Sequence, residues 1–151
     1  MSLHLKDEHA TIALGKRIAR TLHAGLVVHL AGELGAGKTA LVRSILGAMG
    51  YPGKVKSPTY ALVELYTISR LNLYHFDLYR FNDPQEWNDS GFREYFNPDS
   101  ICFVEWPEKG GKLVPEPDIR ISLEIEGNGR HVEIDAISEA GRQCLRRLGN
   151  H

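Results

Sequence analysis

The run Gly32-Glu33-Leu34-Gly35-Ala36-Gly37-Lys38-Thr39 constrains this chain more than any other stretch. Four residues separate its first glycine from Gly-Lys-Thr, the Walker A spacing. In that pattern glycines let backbone amides approach a polyphosphate closely. Such a loop works between a strand and a helix, because the helix adds its positive dipole end to the amides. Both flanks are present. Val27 to Ala31 reads as a buried strand, and Lys38 to Met49 carries Leu41, Val42, Ile45, Leu46 and Met49 as a wide apolar face suited to a sheet. A glycine-rich turn with an exposed lysine would need neither flank. Strand, loop and helix together predict an α/β fold, a P-loop NTPase-like three-layer sandwich with a mixed β-sheet.

The remaining pattern supplies the other elements. Asp7 caps a helix striped by Ala10, Leu14, Ile18 and Leu22 and ended by Gly25. After a loop over Gly50 to Pro58, Ala61 to Tyr66 and Leu71 to Tyr79 read as strands joined near Ser69. Asp83-Pro84-Gln85-Glu86 is a capping box with proline at the first helical position, and Phe92 to Phe96 forms a further turn. Ile101 to Val104 is wholly apolar, a strand buried on both faces. Beyond a Gly- and Pro-rich loop over Lys109 to Pro117, Ile119, Ile121, Leu123 and Ile125 alternate with polar residues. Gly127-Asn128-Gly129 then turns into a partner strand with Val132 and Ile134 inward. Ser138 caps a last helix. The 151 residues contain no repeat or interdomain linker, so one P-loop ATPase domain over 1–151 is expected.

Composition narrows the partners. Eighteen basic and nineteen acidic residues leave a formal charge of −1, so no global field draws the chain onto nucleic acid or anionic lipid. Any RNA contact is expected to be indirect. No apolar run approaches the roughly 20 residues of a membrane span, and Met1 to Glu8 lacks a signal-peptide plan, which points to the cytoplasm and no membrane. Cys102 and Cys144 lack metal or redox spacing and read as buried thiols.

The loop's chemistry needs partners. Lys38 is expected to reach the outer phosphates of ATP and the Thr39 hydroxyl to ligate Mg2+. An acid at the end of another buried strand must help hold the metal, and Glu105 and Asp77 qualify. Glu105 ends the better buried strand and reads as the Mg2+ ligand. Asp77, among aromatics in His75-Phe76-Asp77-Leu78-Tyr79-Arg80, reads as the second catalytic acid, orienting water or metal, or else as an ion-pair partner of Arg80. His75 and Asp77 also have the spacing of some metal ligands, without a second histidine or cysteine nearby. Ser57 and Thr59, in Ser57-Pro58-Thr59-Tyr60, form either a switch sensing the terminal phosphate or a plain proline turn. Trp106 either contacts the nucleotide or fills space below the loop.

The Walker A loop, Val55-Lys56-Ser57-Pro58-Thr59-Tyr60, His75 to Arg80, Val104-Glu105-Trp106-Pro107, Asp83 to Glu86 and Gly91 to Phe96 together resemble the TsaE family, formerly YjeE. The resemblance runs in order along nearly the whole chain. It implies a bacterial ATPase, slow and partner-dependent, that supports threonylcarbamoylation of the adenosine beside the anticodon in tRNAs reading codons that begin with A. It also implies TsaB and TsaD as partners, with TsaD performing the transfer and this subunit resetting the complex. By position it assigns Leu34, Gly35, Ala36, Gly37, Lys38 and Thr39 to the phosphates, Thr39 and Glu105 to magnesium, and Asp77 to catalysis. It further places Arg130 against the nucleotide and Glu8 near the base. The chain departs from the family's commonest pattern at Ala40 and at Trp87-Asn88-Asp89-Ser90, on what reads as a surface helix. Two other readings share the loop: a P-loop small-molecule kinase, for which no arginine-rich lid is evident, and a nucleotide-gated binding module. The chain has no Asn-Lys-x-Asp guanine motif.

Overall fold

In the computed structural model, which describes residues 1–58 and 60–149, seven strands form one mixed sheet. In chain order these are β1 (Ser2–Leu5), β2 (Val27–Ala31), β3 (Val63–Ile68), β4 (Leu71–Asp77), β5 (Ser100–Glu105), β6 (Ile119–Glu126) and β7 (Gly129–Ala136). Their spatial order is β1-β7-β6-β2-β5-β4-β3. The four central strands, β6, β2, β5 and β4, run parallel, and antiparallel neighbours flank them on both sides. The helices are α1 (Glu8–Ala19), α2 (Lys38–Ala48), α3 (Pro84–Asp89) and α4 (Glu139–Gly149).

Strand alternation divides the core. Val28 and Leu30 of β2, Ile101 and Phe103 of β5, and Leu73 of β4 pack with Leu14, Leu41, Ile45 and Cys144, so α1, α2 and α4 cover one face. Cys102, Val104 and Phe76 point the other way, toward α3 and short 3-10 turns. β5 is buried at every position, as its apolar run requires. The second face is clothed only over β4 and β5. On β6 and β7 that side presents Arg120, Glu124, His131 and Asp135, none of them buried, and the paired strands form the expected hairpin.

Local chemistry sets the helix ends. Asp7 accepts from the Ala10 amide at 2.9 Å, and Ser138 accepts from the Gly141 amide at 3.0 Å, each satisfying an orphan amide of a first turn. Asp83 caps α3 through Gln85 with Pro84 following. α1 stops at Ala19, short of Leu22. Leu22 packs on the core from outside the helix. Strand β1 did not emerge from the sequence: its four residues are held by pairing with β7, from Ser2↔Glu133 to Leu5↔Arg130, a long-range contact with no local signature.

Trp87 corrects a sequence reading. Instead of lying on a surface helix, its side chain is 2% exposed and packs against Phe76, Phe81, Phe92 and Phe96, with ring centroids 5.4 to 6.2 Å away. The short α3 can cover β4 because this aromatic anchor holds it. Trp87→Ala should therefore cost about 3–5 kcal/mol and lower the melting temperature by roughly 10 °C, whereas Asn88→Ala should stay within about 0.5 kcal/mol of wild type. Thermal unfolding followed by circular dichroism measures both.

Candidate active site

The parallel register brings the chemistry together. β2 ends at Ala31 and delivers the chain into the glycine-rich loop, while Asp77 and Glu105 are register partners at the carboxyl ends of β4 and β5. Crevices at the carboxyl ends of parallel strands are where open α/β sheets bind ligands. Gly37 adopts φ +104° as it caps α2, and no side chain bonds the first amides of the helix. Amides left without a side-chain cap at a helix start are suited to an anion. Gly32 is irreplaceable for a second reason: a Cβ there would run into the Leu123 carbonyl of β6.

Thr39 donates its hydroxyl to Glu105 Oε2 at 2.8 Å. The same oxygen accepts from His75 Nε2 at 2.5 Å. Asp77 accepts the Tyr79 amide at 3.0 Å and makes no ion pair with Arg80 among the described residues. Arg80 instead lies 5.0 Å from the Tyr60 ring centroid. Lys38, the first residue of α2, donates to the Gly32 and Glu33 carbonyls and stacks 3.8 Å over Trp106. Trp106 thus sits beneath the lysine, in a left-handed backbone conformation with φ +56°. Leu34, Gly37, Lys38, Thr39, Ser57, Asp77, Glu105 and Trp106 share one cleft of about 380 Å³.

A second cleft of about 380 Å³ opens on the other side of Gly37 and Ala40, between Glu8, Thr11 and Ile12 of α1, Arg43 and Ser44 of α2, and Asn128 to Arg130 of the hairpin. Arg130 is no mere turn charge. Its guanidinium donates to the Ala36 carbonyl at 2.9 Å and the Gly35 carbonyl at 3.2 Å, clamping the loop from outside. Glu8 lines this cleft, so Glu8 and Arg130 stand together on one side of the loop, and Thr39, Asp77 and Glu105 on the other. Ser57 is in place in the first cleft, and Thr59 lies outside the described residues.

His75 is the residue whose role sequence reasoning missed. It is fully buried, and its bond to Glu105 replaces the metal-ligand reading. No group of three His, Cys, Asp or Glu side chains able to hold a metal occurs among the described residues. Its alternation with Asp77 on one strand face was the available signal. Tyr79 was also passed over; its ring packs 5.0 Å from Trp106.

Electrostatics follow burial. Desolvation pushes the Asp77 carboxyl above its ordinary range, helped by the neighbouring Glu105 and opposed by the Tyr79 amide, His75 and Lys38. Desolvation likewise lowers the Lys38 ammonium, against the attraction of Glu105 and Asp77. Because folding raises the Asp77 pKa, the fold loses stability as pH climbs from the unfolded value of about 3.9 through the folded value. Asp77→Asn removes that loss and keeps an acceptor for the Tyr79 amide. The ligand-free variant should melt a few degrees above wild type at neutral pH, with the gap closing as pH falls toward about 4. Melting curves across that pH range check it.

Known proteins resemble this chain in sequence and fold. The family model for threonylcarbamoyl adenosine biosynthesis protein TsaE matches residues 5–132. The tRNA threonylcarbamoyladenosine biosynthesis protein TsaE of Haemophilus influenzae is 41% identical, over 99% of this chain and 98% of its own. Its namesake from Bacillus subtilis is 32% identical, over 93% and 89%. The crystal structure of Bacillus subtilis YdiB superposes with a TM-score of 0.85 at 25% identity, covering 100% of this chain and 95% of that one. With the family model matched over most of the chain and relatives aligned over nearly its whole length, the chain belongs to the TsaE family, whose role is in the biosynthesis of threonylcarbamoyladenosine in tRNA.

Proposed function

We propose that this chain binds ATP with Mg2+ and hydrolyses it slowly in the cytoplasm, under the control of a TsaB–TsaD assembly that it resets between rounds of tRNA threonylcarbamoylation. The observation that carries the reading is the bond from Thr39 to Glu105, 2.8 Å long, beside Asp77 on the adjoining strand. A P-loop hydroxyl and a strand-end carboxylate in contact are hard oxygen donors of the kind Mg2+ takes. Thr39 and Glu105 would hold the ion, which when bound offsets charge on the outer phosphate oxygens.

The chain's own groups supply the rest. Amides from Leu34 to Thr39 cradle the phosphates. Lys38 leaves the Gly32 and Glu33 carbonyls to meet the outer phosphates, and its lowered pKa reflects how thinly it is solvated before doing so. Asp77 orients the attacking water, and its raised pKa brings it closer to the range in which a carboxylate accepts a proton effectively. Arg130 keeps the loop in shape, and Glu8, in the second cleft, would border the nucleoside. Ser57, and with it Thr59, would sense the terminal phosphate. The chain's near-neutral charge suits a subunit that works on its partners and meets tRNA through them.

Lys38→Ala should weaken ATP binding by at least about 100-fold, since a charge-assisted contact to phosphate is lost together with its long-range attraction. Asp77→Ala and Glu105→Ala should abolish hydrolysis while keeping the circular dichroism spectrum of wild type. Titration with a fluorescent ATP analogue and a phosphate-release assay read these effects, and wild-type turnover in either acid variant would return that acid to a structural role. For the coupling, purified TsaB and TsaD should bind the chain and change its turnover. Neither binding nor a changed rate would refute the partner-controlled reading.

A further inference from the structure

His75 is an expensive residue to bury for packing alone. Its side chain has no solvent exposure, and Nδ1 has no hydrogen-bond partner among the described residues. Nearly all buried polar atoms of native proteins are paired, so an orphaned ring nitrogen calls for a reason. The reason lies at the other nitrogen. Nε2 donates to Glu105 Oε2 at 2.5 Å, so the proton at that nitrogen is committed to the carboxylate.

The register explains why a histidine fits there. His75 pairs with Phe103, and Asp77 with Glu105, so residue 75 is one step deeper along the strands than the two acids. Alternation places 75 and 77 on one face of β4, and 103 and 105 on the same face of β5. A side chain at 75 must therefore reach diagonally toward the strand end to meet Glu105. The imidazole does so, whereas a shorter amide at that position would fall short.

Glu105 Oε2 thus has two donors of different origin. Thr39 belongs to the helix that follows the phosphate loop, and its hydroxyl is itself assigned to the metal. His75 belongs to the sheet. We propose that His75 is a positioning residue that holds the Glu105 carboxylate in its metal-binding orientation from the sheet side, independently of the phosphate loop. This rests on the assignment of Glu105 to Mg2+ made above. Partners that orient a ligating carboxylate typically contribute 10–100-fold to metal affinity or activity.

The test compares two amides. His75→Gln sets its amide nitrogen near the place of Nε2, and His75→Asn sets one near Nδ1, so the first retains the donor to Glu105 and the second loses it. His75→Leu removes both nitrogens. Affinity for a fluorescent ATP analogue is measured with and without Mg2+, alongside the melting temperature of each ligand-free variant. The His75→Asn and His75→Leu variants should lose about 10–100-fold of the Mg2+-dependent gain in affinity, keep the Mg2+-free affinity, and His75→Gln should restore the gain to within about threefold. The melting temperatures show that each variant is folded before its affinity is read. If Glu105→Ala loses the Mg2+-dependent gain while His75→Asn and His75→Leu keep it, the positioning role is overturned and the metal assignment stands. If Glu105→Ala keeps it too, both fall.

Discussion

Parallel pairing of β2, β5 and β4 is the constraint on which the rest depends. Side chains that alternate across a strand can meet their neighbours only if the strands are aligned in both direction and register. Here the alignment puts the loop after β2, Glu105 and Asp77 at one end of the sheet. A slip of one residue in β4 against β5 would turn Asp77 to the aromatic face and carry Phe76 into the cleft. The apolar alternation of Leu73, Phe76, Ile101, Cys102, Phe103 and Val104 between two cores forbids that slip, so burial of hydrocarbon determines where the carboxylates stand.

The same arrangement accounts for the electrostatic character of the cleft. Two carboxylates and an ammonium share a site lined by buried strand ends, and desolvation shifts Asp77 upward and Lys38 downward. The charges are kept apart from water by design of the sheet, with Lys38 resting on carbonyls and an indole ring. Groups restrained in this way respond strongly to any charge brought near them, because solvent screens little there.

Much of this was legible in the sequence, for identifiable reasons. The phosphate loop, the apolar β5 run ending in Glu105 and the β6–β7 hairpin each carry their signal within a few consecutive residues. Asp77 was legible as a strand-end acid. Its release from Arg80 was not, because that depends on Tyr60 drawing the guanidinium away. Strand β1, the burial of Trp87 and the link between His75 and Glu105 are tertiary facts. β1 and β7, and His75 and Glu105, stand far apart in the chain, and Trp87 meets aromatic rings from several separate segments, so no local period announces them. Arg130 shows the same limit: its charge reads as solvated until Gly35 and Ala36 are placed against it. Family resemblance pointed to Arg130 where local chemistry could not.

The Arg130 clamp also bears on the order in which the molecule assembles. The loop comes early in the chain, yet its shape depends on residues synthesised much later: Thr39 meets Glu105 across 66 positions and Ala36 meets Arg130 across 94. β1 waits still longer, for β7. Contacts of such high sequence separation must overcome loop-closure entropy before they stabilise anything. A nascent chain emerging from the ribosome therefore carries the whole glycine-rich motif long before the contacts that shape it exist, and the loop is clamped only when the hairpin at the far end of the sheet closes onto it.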